Sequence, residues 1–216
     1  MKPARKDAPK QTRSNISLFK SEDGVCKRMA NSGWYYGMDT NNATPFPCTG
    51  DGHNFYIGRL GGGITADGTG FDSSTAAAVG AEATFAYWDL VGPGNAPSGT
   101  SPEEWGVQQA QVFQQTYDGN FSVDGTTLFA DIEPGNGGWP GEPASACQQV
   151  LNGFLKTISD PSSGFYPGVY ISVDNWNAFF ESSYVSPIPF VLWLAGTDCP
   201  STCTDAADQF NANHLN

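Results

Sequence analysis

Two carboxylates close a short apolar run, Thr127-Leu128-Phe129-Ala130-Asp131-Ile132-Glu133-Pro134-Gly135. The run reads as a strand stopped by Pro-Gly, and in a strand the side chains at i and i+2 point the same way. Asp131 and Glu133 therefore project together from one strand end, about 6–7 Å apart at Cα. Neighbouring carboxylates push each other's proton affinities apart, so one can stay protonated while the other is ionised. Hydrolysis of a glycosidic bond needs that division: an acid for the leaving oxygen and an anion for the developing positive charge. The plainer alternative is a strand end with a solvated acidic turn, and a bare Asp-x-Glu does not separate the two.

Other chemistries find less support. Gly61-Gly62-Gly63 lacks the Lys-Ser/Thr of a phosphate loop and the spacing of a dinucleotide fingerprint, so it reads as a tight turn. His53 and His214 are far apart in sequence, and no Cys/His spacing fits zinc. No metal and no cofactor is expected. A Gly-x-Ser-x-Gly nucleophile elbow is absent from the sequence. Among the six tryptophans, Trp139 lies six residues after Glu133 in a Gly-rich loop, where a flat ring could stack on a sugar. Trp105 and Trp176 read as helix-packing residues.

The elements that must position these residues alternate. Strands are expected over 34–39, 55–60, 83–90, 127–133, 168–173 and 190–195. A short Ala-rich helix capped by Asp72 or Ser73 runs to Val79. A second helix has Ser101 as N-cap, Pro102 at its first position and Glu104 closing a capping box. A third starts near Pro143, with Cys147, Val150, Leu151, Phe154, Leu155 and Ile158 at helical spacing. A fourth is capped by Asp174. Strict alternation implies an α/β protein with a parallel sheet. A (β/α) barrel of the TIM type is the leading architecture, incomplete or truncated at the C-terminus because only six strands can be counted where eight are standard. A doubly wound open sheet is the alternative.

At 216 residues the chain suits one core, with 1–31 as a flexible basic lead-in and 32–216 as the barrel domain. Charged residues make up 15% and the net charge is −12, unevenly spread. The first 28 residues hold eight basic and three acidic residues, a balance of +5; the remainder holds 19 acids against Arg59 and Lys156, a balance of −17. Such an acidic body repels nucleic-acid phosphates and anionic membranes. No apolar run reaches the length of a membrane span, and no apolar stretch follows the basic N-terminus as in a signal peptide. Five cysteines point instead to export, with Cys199–Cys203 and Cys26–Cys48 as candidate disulfides and Cys147 as a buried thiol. The expected setting is extracellular or cell-wall associated, the expected state a monomer.

Several segments in this order resemble glycoside hydrolase family 25, the lysozyme-like N-acetylmuramidases, and related glycoside-hydrolase-like domains of secreted actinobacterial proteins. Gly37-Met38-Asp39-Thr40 looks like the family's first strand. Gln108-Gln109-Ala110, with Phe113, looks like the helix before its fourth strand. Phe129-Ala130-Asp131-Ile132-Glu133 looks like its Asp-x-Glu strand. Gly168-Val169-Tyr170-Ile171-Ser172 and Leu192-Trp193-Leu194-Ala195 look like its fifth and sixth. The resemblance covers about residues 33–198. It implies a barrel with Glu133 as general acid, and with Asp131 orienting the substrate's N-acetyl group or stabilising the oxocarbenium-like centre. It also implies Asp39 as a further site carboxylate, and Tyr170 and Trp193 lining the sugar cleft; for Trp193 a core position is equally open. The partner implied is a polysaccharide, peptidoglycan or another N-acetylated glycan.

Two departures stand out. The family's last two strands, with their Asp-x-Asn, have no counterpart before Asn216. The third strand ends Tyr87-Trp88-Asp89 instead of Tyr-His-Phe, so Asp89 either replaces a lost polar group or caps the next loop. A non-catalytic carbohydrate-binding barrel and a surface protein tethered by its basic tail are the rival expectations.

Overall fold

A computed structural model of the chain describes residues 36–40, 54–66, 83–121 and 125–195. Seven strands form one sheet: β1 Tyr36–Thr40, β2 Asn54–Gly62, β3 Thr65–Ala66, β4 Ala83–Asp89, β5 Thr127–Asp131, β6 Tyr166–Ser172 and β7 Val191–Ala195. Their order is β1-β2-β4-β5-β6-β7, every neighbouring pair parallel, with β3 folded back antiparallel on the end of β2. The helices are α1 Pro102–Asn120, α2 Ala144–Ile158 and α3 Val173–Phe179. The Ala-rich helix expected through Val79, the basic segment 1–31 and both candidate disulfides lie outside the described residues.

The protein is thus α/β with a parallel sheet. The order never reverses, which a doubly wound sheet requires at its switch point. The sheet is also not closed: among the described residues β1 and β7 each pair on one side only.

Alternation along the strands sorts their side chains into two clusters. One face gives Ala86, Trp88, Leu128, Ala130, Val169, Ile171 and Leu194 to the main core, shared with α1, α2 and α3. The other face carries a smaller cluster of Ile57, Phe129, Tyr170 and Trp193, flanked by Phe85 and Tyr87. The polar ends of β4 and β5 belong to this second face.

The helices form for the reasons their sequences suggest. Ser101 Oγ accepts from Glu104 N at 3.2 Å, satisfying an otherwise orphaned donor at the start of α1. In α2 the stripe Cys147, Val150, Leu151, Phe154, Leu155 and Ile158 is fully buried. Phe113 of α1 stacks between Trp88 of β4, 5.2 Å away, and Phe154 of α2, 6.2 Å away. The two helices touch through glycine: a Cβ at Gly106 would overlap Val150 O, and one at Gly153 would overlap Glu103 O. α3 is capped by Ser172, whose Oγ accepts from Asn175 N at 3.1 Å, while Asp174 sits in its first turn. β3 was not anticipated. Gly63, at φ 58°, turns the chain back, and Gly61 leaves space that Thr65 O and the Trp88 ring fill.

Two predictions follow from this packing. Gly106→Ala and Gly153→Ala should each destabilise by about 1–3 kcal/mol in urea unfolding, overlap outweighing the helix propensity gained. A neutral or stabilising result would mean the helices separate easily. The second concerns pH. Burial, aided by the Glu142 charge, pushes the Cys147 thiol up to about 11. Burial, partly offset by a hydrogen bond from Ser186, pushes the Tyr184 hydroxyl up to about 12. Unfolded, these groups lose their protons at lower pH, so their stability is full below about pH 9 and drains as pH rises towards 12. The urea midpoint should fall across that window, and Cys147→Ala should remove the thiol's share of the fall.

Candidate functional site

The register aligns one residue from each of five strands at the C-terminal level of the second face: Gly62, Asp89, Asp131, Tyr170 and Trp193. Neighbouring strands lie about 4.8 Å apart, so Asp89 and Asp131 are adjacent carboxylates on adjacent strands. Asp131 is 9% exposed. Ile132 turns into the main core, which returns Glu133, partly exposed, to the side of Asp131. Three carboxylates thus gather at the ends of β4 and β5. Asp89 carries an ion pair as well, its Oδ2 2.8 Å from Arg59 Nη2. In the sequence Arg59 is marked only by being one of two basic residues after position 28.

The loops behind these carboxylates are held by backbone. Asp131 O accepts from Leu90 N at 2.9 Å and from Asn136 Nδ2 at 2.7 Å. Gly92 N donates to Gly137 O at 2.9 Å and Gly94 N to Gly138 O at 3.0 Å, so the β4–β5 pairing continues past the strand ends. A Cβ at Gly92 would overlap the Gly138 carbonyl. From α1, the fully buried Gln109 accepts from Val91 N through Oε1 at 2.8 Å and donates to Val91 O through Nε2 at 3.0 Å. Its carboxamide stands in for a neighbouring strand. Trp105 Nε1 donates to the same Val91 carbonyl at 3.0 Å.

The predicted site residues divide. Asp89 and Asp131 are direct register partners, and Glu133 follows Asp131 on the same side. Tyr170 and Trp193 share their face but are 7% and 3% exposed, packed on each other at 4.5 Å and, through Trp193, edge-on to Phe129 at 5.7 Å. They form a floor to the face. Trp139 is a correction: it is 1% exposed, donates from Nε1 to Leu90 O at 2.7 Å and stacks on Phe179 at 5.7 Å. Its loop doubles back over the end of β4 and delivers the ring into the helix-side core, where no sugar can stack on it. Asp39 is not at the carboxylate level. It pairs with Ile57, which pairs with Phe85, four residues before Asp89 and so about 13 Å lower along the strand direction.

Among the described residues no group of three His, Cys, Asp or Glu is placed to hold a metal ion, and no helix is long and apolar enough to cross a membrane. Compared with protein-family models, curated proteins and solved structures, the chain gives no match.

Gln109 should be the keystone of the rim. Gln109→Ala takes the acceptor from Val91 N while Trp105 Nε1 still donates to Val91 O, and an unsatisfied backbone donor costs about 1–3 kcal/mol. Urea unfolding should show that loss, and hydrogen exchange at Val91 should accelerate; unchanged protection would give the loop another anchor.

Proposed function

We propose that the protein is a glycosidase acting on an N-acetylated polysaccharide of the peptidoglycan type, with Glu133 as general acid and Asp131 as the anion beside it. The observation that carries this reading is the grouping of Asp131, Glu133 and Asp89 at the C-terminal ends of parallel strands, the end where α/β barrels and open sheets place their sites. Glu133, partly exposed, is reachable by the leaving oxygen. Asp131, buried and on the same side, faces the charge that develops on the sugar ring. Asp89 adds a third negative group, tied to Arg59.

We propose that the sheet has a barrel-like curvature. Successive helices on one face need about 8–10 Å each, whereas the strands beneath them advance by about 4.8 Å. A sheet wound in one direction accommodates that difference by curling away from its helices. The burial of Ile57, Phe129 and Trp193 on the face that no described helix covers agrees with such a curl.

A second reading, a carbohydrate-binding barrel without turnover, draws on the packed aromatic floor and on the ion-paired Asp89. One experiment separates the two. Purified cell-wall peptidoglycan is incubated with wild type and with Glu133→Gln, following turbidity and reducing ends. A neutral amide cannot donate the proton, so the enzyme reading expects a loss of about 10²–10⁴-fold. Full activity in the variant would remove Glu133 from the acid role. Binding in both proteins with turnover in neither would favour the second reading.

A further inference from the structure

Three features of β2 converge on Asp89, and none is part of the Asp-x-Glu pair. The first is Arg59, whose Nη2 lies 2.8 Å from Asp89 Oδ2. The second is a break in the ladder between Arg59 and Gly61. Arg59 pairs with Tyr87, two residues before Asp89, so its guanidinium reaches along the sheet to the carboxylate. The third is Gly62, the direct register partner of Asp89: a Cβ there would stand 2.8 Å from Asp89 Cβ and crowd it. The missing side chain makes room for the Asp89 carboxylate to reach Arg59.

The pair is not an ordinary surface contact. Its side chains are 31% and 20% exposed, whereas the other described basic residue, Lys156, is 71% exposed, lies in the helix layer and meets Glu103 only at 3.7 Å. Among the described residues, the charged and titratable groups on the Asp89 side of the sheet include Arg59 from β2, Asp131 and Glu133 from β5 and its extension, and Tyr87 from its own strand, with Tyr170 of β6 beyond Asp131. Without Arg59, Asp89 and Asp131 would stand as neighbouring carboxylates on adjacent strands, each disfavouring the ionisation of the other.

We propose that Arg59 is a positioning residue of the site: it holds Asp89 as an anion drawn towards β2, away from Asp131 and Glu133. This rests on the reading of Asp131 and Glu133 as the working pair. Asp89 is then a fixed charge that neither donates to substrate nor accepts from it.

The test is a side-chain carboxyl NMR titration of the full chain as wild type, Arg59→Gln and Arg59→Lys. The Asp89 midpoint should rise by about one pH unit or more in Arg59→Gln. Arg59→Lys should bring it part of the way back, because lysine restores the charge without the planar fork. An Asp89 midpoint that does not move in Arg59→Gln overturns the proposal. Should that variant not fold, the wild type still decides: an Asp89 midpoint at or above that of aspartate in the urea-unfolded chain overturns the proposal, and one below supports it. On peptidoglycan, the acid limb of kcat/KM should move to higher pH in Arg59→Gln and recover in Arg59→Lys; an unmoved limb would also overturn the proposal. If the wild type hydrolyses no glycan, the proposed function fails while the titration still decides the role of Arg59.

Discussion

The contact between α1 and α2 is the constraint on which the architecture rests. These helices belong to successive crossovers, β4 to β5 and β5 to β6, on one face of the sheet. Strands under them are closer together than helices of ordinary girth can be. Gly106 and Gly153 reduce the mismatch by letting each helix rest on the other's backbone. The interlocked rings of Trp88, Phe113 and Phe154 then tie both helices to β4. With the crossing fixed, the ends of β4 and β5 are fixed too, and so is the spacing of Asp89 and Asp131.

Each strand serves two masters. In β4, β5 and β6 the residues given to the helix-side core, Ala86, Trp88, Leu128, Ala130, Val169 and Ile171, are apolar, and the other side changes character along its length. In β5, Phe129 is apolar floor and Asp131, two residues on, is part of the carboxylate group. In β4 the same step leads from Tyr87 to Asp89. Gly168 on β6 completes the arrangement, since a side chain there would collide with the Phe129 ring. The polar chemistry is therefore lifted to the strand ends by a packed aromatic base.

Periodicity made the helix-side core legible. The stripe of α2, the Ser101 cap and six strands all appear where alternation and spacing put them, with boundaries moved by a few residues. What stayed hidden depends on contacts remote in sequence. Nothing in the local pattern of Trp139 announces that its indole will find the Leu90 carbonyl 49 residues away. Arg59 escaped because the irregularity beside it disturbs a period of two. Asp39 was placed by analogy, and only the register of β1 against β2 shows its level. The cap of α3 fell to Ser172 because β6 ends one residue earlier than read.

The continuation of pairing beyond the ends of β4 and β5 bears on how this rim can vary. Loops at strand ends ordinarily tolerate insertions and deletions. Here the two neighbours are stitched at Gly92, Gly94, Gly137 and Gly138, so adding or removing a residue in one would throw it out of step with the other. Changes of length should be tolerated at the tips around Gly99 and Gly141, where an added side chain meets no other atom within 4 Å. The rim would thus vary in the reach of two tips while their bases remain the same length.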